Sequence, residues 1–245
     1  MHPCSRGLRA GSIAVLAGAA IAGAQADIFA NQPPPQGGGV MRWSKLWIDP
    51  TGQNNLDGDA ICYQDFTLSG ASLINHIEWW GDGPPDLGFQ IEFWKQDPGT
   101  TAYQPYAVFR EQGAQPEFAI TTTAYTVSGD PTGTSHYQFD FSAPVSLAAN
   151  DAANPRWFAA VIGRTDVPYL EWNWSQGVGG SNRSYQFIRG GSPAGGDWFT
   201  PLPEGRSLLL SGSAVPEPAT LGALGVGVLA VLRRRRTSNK PAART

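Results

Sequence analysis

Gly88-Phe-Gln-Ile-Glu-Phe-Trp-Lys95 carries Phe89, Ile91 and Phe93 at every second position, with Gln90, Glu92 and Trp94 between them. Successive side chains of an extended strand point to opposite faces, so the first set is expected in a core and the second on an outer face. The stretch 136–141 behaves in the same way, with Tyr137, Phe139 and Phe141 inward and Gln138 and Asp140 outward. Residues 157–162 are apolar on both faces, as in a central strand covered from both sides. No long 3.6-residue period interrupts these runs, and Gly, Pro, Asn and Asp punctuate them. Strands are expected at 41–48, 60–68, 72–80, 88–95, 106–111, 118–127, 136–144, 156–163, 169–174, 184–189 and 207–211. So many short strands predict an all-β fold, a two-sheet antiparallel sandwich.

The chain ends carry a different kind of information. Arg6 and Arg9 precede an apolar stretch at 13–24, and Ala24-Gln25-Ala26 supplies a small-x-small pattern. Residues 1–26 therefore read as a secretory signal peptide with a signal helix, cleaved between Ala26 and Asp27. Cys4 precedes the apolar stretch, so no N-terminal lipid anchor is expected, and Cys62 is the sole cysteine of the mature chain. Held without a disulfide, the domain must rely on its apolar core, and Cys62 reads as a small buried hydrophobe flanked by Asp59 and Asp65. Residues 27–40, with three prolines and three glycines at 33–39, read as a flexible approach to a sandwich spanning 41–212.

At the other end, Val215-Pro216-Glu217-Pro218 leads into an apolar run at 219–232 and then Arg233-Arg234-Arg235-Arg236. Four arginines resist crossing a bilayer that the apolar run can enter, so they and the basic tail at 237–245 should stay cytoplasmic. The twelve residues 221–232 would span only about 18 Å as a helix, against a hydrocarbon core of about 30 Å. Such a hydrophobic helix is a weak permanent anchor and a workable temporary one. The arrangement over 213–236 resembles a PEP-CTERM sorting signal. That resemblance implies recognition by exosortase, a membrane-embedded cysteine protease, which removes the tail and passes the protein to the envelope or exterior. An ordinary single-span anchor is the plainer alternative. Phe66-Thr-Leu-Ser-Gly, Ile77-Glu-Trp-Trp-Gly and Phe89-Gln-Ile-Glu-Phe also resemble a jelly-roll-like ectodomain found on other exported PEP-CTERM proteins. This second resemblance covers roughly 62–210 and implies no activity.

Between Asp27 and Gly212 there are nine Lys and Arg against nineteen Asp and Glu, a formal charge of 9 − 19 = −10. Phosphate backbones and anionic head groups should be repelled, which excludes nucleic acid as a partner and leaves neutral polysaccharide and cations open. Motifs for catalysis are absent from the sequence. His76 and His136 are the two mature histidines and lie on separate expected strands without metal-ligand spacing, and no Gly-x-Ser-x-Gly elbow occurs. The glycines at 177–180 lack the Lys-Ser/Thr ending of a phosphate cradle.

Three clusters remain. Glu78, Glu92 and Glu171 lie beside tryptophans, as in a glycosidase, although alternation places them on solvent faces. Asn55, Asp57 and Asp59 could ligate Ca²⁺ in a turn that departs from the EF-hand pattern and also reads as a plain Asx turn. No other cofactor is expected. Of nine tryptophans, Trp79 is expected in the core. Trp80 and Trp94, if their strands are neighbours, would form an outer patch with Glu78, Gln90 and Glu92, and Trp172 and Trp174 would share another face. These rings either bind glycans or stiffen the core. The leading expectation is an exported, non-catalytic envelope or matrix protein, embedded in extracellular polysaccharide. A carbohydrate-binding module and a secreted glycoside hydrolase are the alternatives.

Overall fold

Alternating apolar residues from two sheets meet face to face in the computed structural model, which describes residues 26–51, 59–168, 170–192 and 195–215. In chain order the strands are β1 (Asp27–Gln32), β2 (Arg42–Trp43), β3 (Lys45–Trp47), β4 (Ala60–Phe66), β5 (Ser72–Gly81), β6 (Phe89–Lys95), β7 (Phe118–Thr122) and β8 (Thr126–Gly129). They continue with β9 (Ser135–Leu147), β10 (Trp157–Thr165), β11 (Asn173–Trp174), β12 (Gln176–Gly177), β13 (Ser184–Ile188), β14 (Trp198–Leu202), β15 (Gly205–Arg206) and β16 (Leu208–Ala214).

β5 is the spine of the first sheet. β9 pairs along one edge and in turn holds β8, while β16 pairs along the other edge and in turn holds β1. Past Trp80 the place beside β5 passes to β11, where Trp174 pairs with Gly81. The second sheet runs β14-β13-β4-β3-β10-β6-β7. It is mixed and not purely antiparallel, because β3 lies parallel to β10. β4 and β10 pair directly at Ala159 with Gln64, then diverge, and β3 enters between them. Ser44, fully buried, seals the fork: its hydroxyl accepts from the Cys62 N–H at 3.2 Å and donates to the Val161 carbonyl at 2.5 Å. The polar groups freed by the fork are thereby satisfied.

Between the sheets, Ile74, Ile77, Trp79, Tyr137 and Phe139 face Phe66, Phe89, Ile91, Phe93, Trp157 and Val161 in one cluster. The inward sets expected from alternation are all buried. A second cluster lies on the outer face of the second sheet, where Ile61, Tyr63, Trp94, Phe158, Ala160 and Ile162 need a cover. Residues 106–111, expected as a strand, supply it as a 3₁₀ segment, Tyr106–Gln112, with Ala107 buried beneath. That cover is why Glu92 and Trp94 are buried and not solvated.

Two further corrections concern edges. The segment 27–40, expected to approach the sandwich without joining it, contributes Asp27–Gln32 as a strand of the first sheet. Trp198–Leu202 is an edge strand of the second sheet that no sequence pattern indicated. Among the described residues no helix is long and apolar enough to cross a membrane. The expected signal helix and the hydrophobic helix after Val215 lie outside the described residues.

Candidate functional site

β1 and β16 are antiparallel neighbours, so the first residue of the expected mature chain meets the last residues before the Val-Pro-Glu-Pro box. Asp27 pairs with Gly212, and the Ala214 N–H donates to Asp27 Oδ2 at 3.0 Å. One residue further, the Val215 N–H donates to the Ala71 carbonyl at 2.8 Å. Strand order thus continues to Val215, the first residue of the box, so Asp27, which follows one expected cleavage point, and Val215, which opens the box at the other, belong to one pole of the sandwich. Ala24, Pro216, Glu217, Pro218 and Arg233, Arg234, Arg235 and Arg236 lie outside the described residues. Sequence reasoning missed the juxtaposition because an edge strand such as β1 is recognised by its partner more than by its own pattern.

The expected outer patch of rings does not exist. Trp80 lies on β5 and Trp94 on β6, in different sheets, and Trp80, Trp94, Trp172 and Trp174 are all buried. Trp80 stacks on His136 at 4.4 Å, and its Nε1 donates to Asp130 Oδ2 at 2.9 Å. The Trp94 Nε1 donates to Glu92 Oε2 at 2.7 Å, and Arg110, which pairs with that carboxylate, lies over the Trp94 ring at 5.2 Å. The Trp174 Nε1 donates to the Ser207 carbonyl at 2.7 Å. These are internal fastenings. Glu92 in particular is a buried counter-ion to Arg110, not a surface carboxylate.

The two histidines, remote in sequence, meet through one carboxylate. His136 Nε2 lies 2.6 Å from Glu78 Oε2, His76 Nε2 lies 3.0 Å from Glu78 Oε1, and His76 Nδ1 lies 2.6 Å from Asp140 Oδ1. The register of β5 with β9 places His76 opposite Asp140 and Glu78 opposite Gln138, which creates the strip. Among the described residues no group of His, Cys, Asp or Glu is arranged to hold a metal ion.

Of the expected calcium ligands, Asn55 and Asp57 lie outside the described residues. Asp59 is buried, and its Oδ1 accepts from the Trp47 N–H at 2.9 Å. Burial pushes its carboxyl up to about 6, against the opposing pull of that N–H and of Arg189, Lys45 and Arg110. Cys62 is fully buried, and burial pushes its thiol up to about 12, so a thiolate is not available for chemistry.

At the pole opposite the chain ends, a cleft of about 260 Å³ opens beside the Gly81 end of β5. Its lining includes Lys45, Asp82, Pro84, Pro85, Glu171 and Trp172. The Trp172 indole is held against the backbone of both sheets: a Cβ on Gly81 would come within 2.6 Å of Trp172 Cζ2, and one on Gly163 within 2.7 Å of Trp172 Cβ. Asp82 is fixed by Asn173, whose N–H and Nδ2 donate to Oδ2 at 3.1 and 2.7 Å. No expectation from sequence singled out Lys45 or Asp82, because residues from four separate segments build the cleft.

Residues 214–236 match the family model of the PEP-CTERM protein-sorting motif. No curated protein and no solved structure matches the chain. The motif supports an exported protein that is sorted by exosortase, with a membrane-anchored precursor processed for the cell envelope.

Proposed function

We propose that the chain is an exported, non-catalytic protein of the cell envelope or extracellular matrix, cut at both ends and delivered by its C-terminal signal. The match at 214–236 carries this reading. Placing Asp27 beside Ala214 supports it, since both cuts would then be made at one membrane-facing pole of a folded sandwich. The non-catalytic reading is supported by the roles its candidate groups already have: Glu92 neutralises Arg110, Glu78 joins two histidines, and Cys62 is buried as a thiol.

Replacing Pro216, Glu217 and Pro218 with alanine should leave a full-length, membrane-retained species in fractionated cells. Release and shortening of that variant as efficiently as the parent would sink the processing claim. Deleting Arg233 to Arg236 should impair retention in the correct orientation, read by protease accessibility of the tail.

A further inference from the structure

Lys45 is a largely buried residue whose ammonium has no protein acceptor among the described residues. The residue is 4% exposed and lines the distal cleft, and its Nζ makes no hydrogen bond or ion pair among the described residues. Its favourable contact there is the ring of Trp43, 5.7 Å away. Burial lowers its basicity, and the carboxylates of Glu171 and Asp59 oppose that without reaching it. An ammonium partly desolvated in this way gains from acceptors supplied inside the cleft.

We propose that this cleft binds one ring of a neutral, polyhydroxylated sugar, with Lys45 donating to hydroxyl oxygens and Asp82 and Glu171 accepting from hydroxyl groups. Lys45 can only donate and the two carboxylates can only accept, whereas a hydroxyl does both, so adjacent hydroxyls satisfy the whole set. Two carboxylates against one ammonium, in a domain of formal charge −10, disfavour an anion. The volume of about 260 Å³ falls below the roughly 300–1,000 Å³ of drug-sized sites, which limits the occupant to about one ring. Pro84, Pro85 and Leu170 add apolar lining for its carbon face, and Trp172, braced on Gly81 and Gly163, gives a rigid floor.

Location agrees with this use. β5 runs from Ser72 beside the chain ends to Gly81 beside the cleft, ten residues or about 33 Å of strand. A protein delivered by one pole would therefore present the cleft at the other. A free monosaccharide and the terminal residue of a glycan offer the same chemistry, and the test separates them.

The full chain in mild detergent is methylated with limiting formaldehyde and cyanoborohydride, and Lys45 and Lys95 are quantified separately by mass spectrometry. Lys95, an exposed residue, is the internal control. The probes are methyl glycosides of glucose, galactose and mannose, then neutral polysaccharides. Saturating glycoside should cut Lys45 methylation at least fivefold with Lys95 unchanged; protection by polysaccharide alone would equally support the site and assign it to glycan ends.

In calorimetry, Lys45→Met should weaken binding at least tenfold. Glu171→Gln, on an exposed position that cannot unfold the core, should weaken it severalfold. No protection by any sugar probe overturns the proposal, as does equal protection by acetate or phosphate, which would make this an anion site. Processing at 214–236 should be unchanged in both variants, so failure here leaves the sorting reading untouched.

Discussion

Asp59 shows how one buried carboxyl can set a pH dependence. Its folded pKa of about 6 lies above the ordinary 3.8, so the folded state holds an extra proton between about pH 4 and 6. The stability linked to that proton is fully present below pH 4 and is lost as pH rises through 6, an upper limit of about 3 kcal/mol. Asn keeps an acceptor for the Trp47 N–H and removes the charge. Asp59→Asn should therefore be more stable than the parent by about 1–3 kcal/mol at pH 7.5 and no more stable at pH 4, measured by urea denaturation. An equal offset at both pH values would show that the charge is not responsible. Cys62 makes the second residue-scale prediction: iodoacetamide should leave it unmodified in the native protein and alkylate it fully in guanidinium. Its lack of reactivity was legible in the sequence, because a lone cysteine between two aspartates had no activating neighbour; that it is fully buried is read from the fold. Asp59 was not legible as a buried group, since an acidic residue at the end of an Asx-rich turn carries no mark of what folds over it.

Elements were legible where their own two faces differ. Alternation in β6 and β9 named the core residues correctly, because each of those strands contrasts aromatic and polar sides. It failed for Glu92 and Trp94, whose face is covered by another segment, and for 106–111, where apolar residues cap a sheet without extending into it. Gly163 tests the packing that elements impose on one another. A Cβ there meets Trp172 Cβ at 2.7 Å, in a side chain already braced against Gly81, so little room exists to yield. Gly163→Ala should cost about 1–3 kcal/mol, seen as a lower urea midpoint with an unchanged slope. β1 tests the edge. Removing Asp27–Gln32 strips β16 of its outer partner, and the resulting open edge should make the variant aggregate where the parent stays monodisperse in light scattering.

For the whole molecule, charge and the two ends were legible before any fold was known, whereas the relation between the ends was not. Sequence places Asp27 and Val215 nearly two hundred residues apart, and only the β1–β16 register makes them neighbours. A membrane-anchored precursor should then stand with the Ala71 turn near the bilayer and Pro84 far from it. A fluorophore at a cysteine placed at Gly70 should be quenched strongly by spin-labelled head groups, and one at Gly83 barely; equal quenching would mean that the sandwich lies flat. The same register has a mechanical consequence. β16 is gripped on both sides, by β1 and by β5. Tension on a tether attached after Ala214, with the load held at the far pole, would act along the strand and across the ladders that run perpendicular to it. The bonds on both flanks would then share the load in shear and not unzip in succession, which suits a domain fixed at a single point under flow.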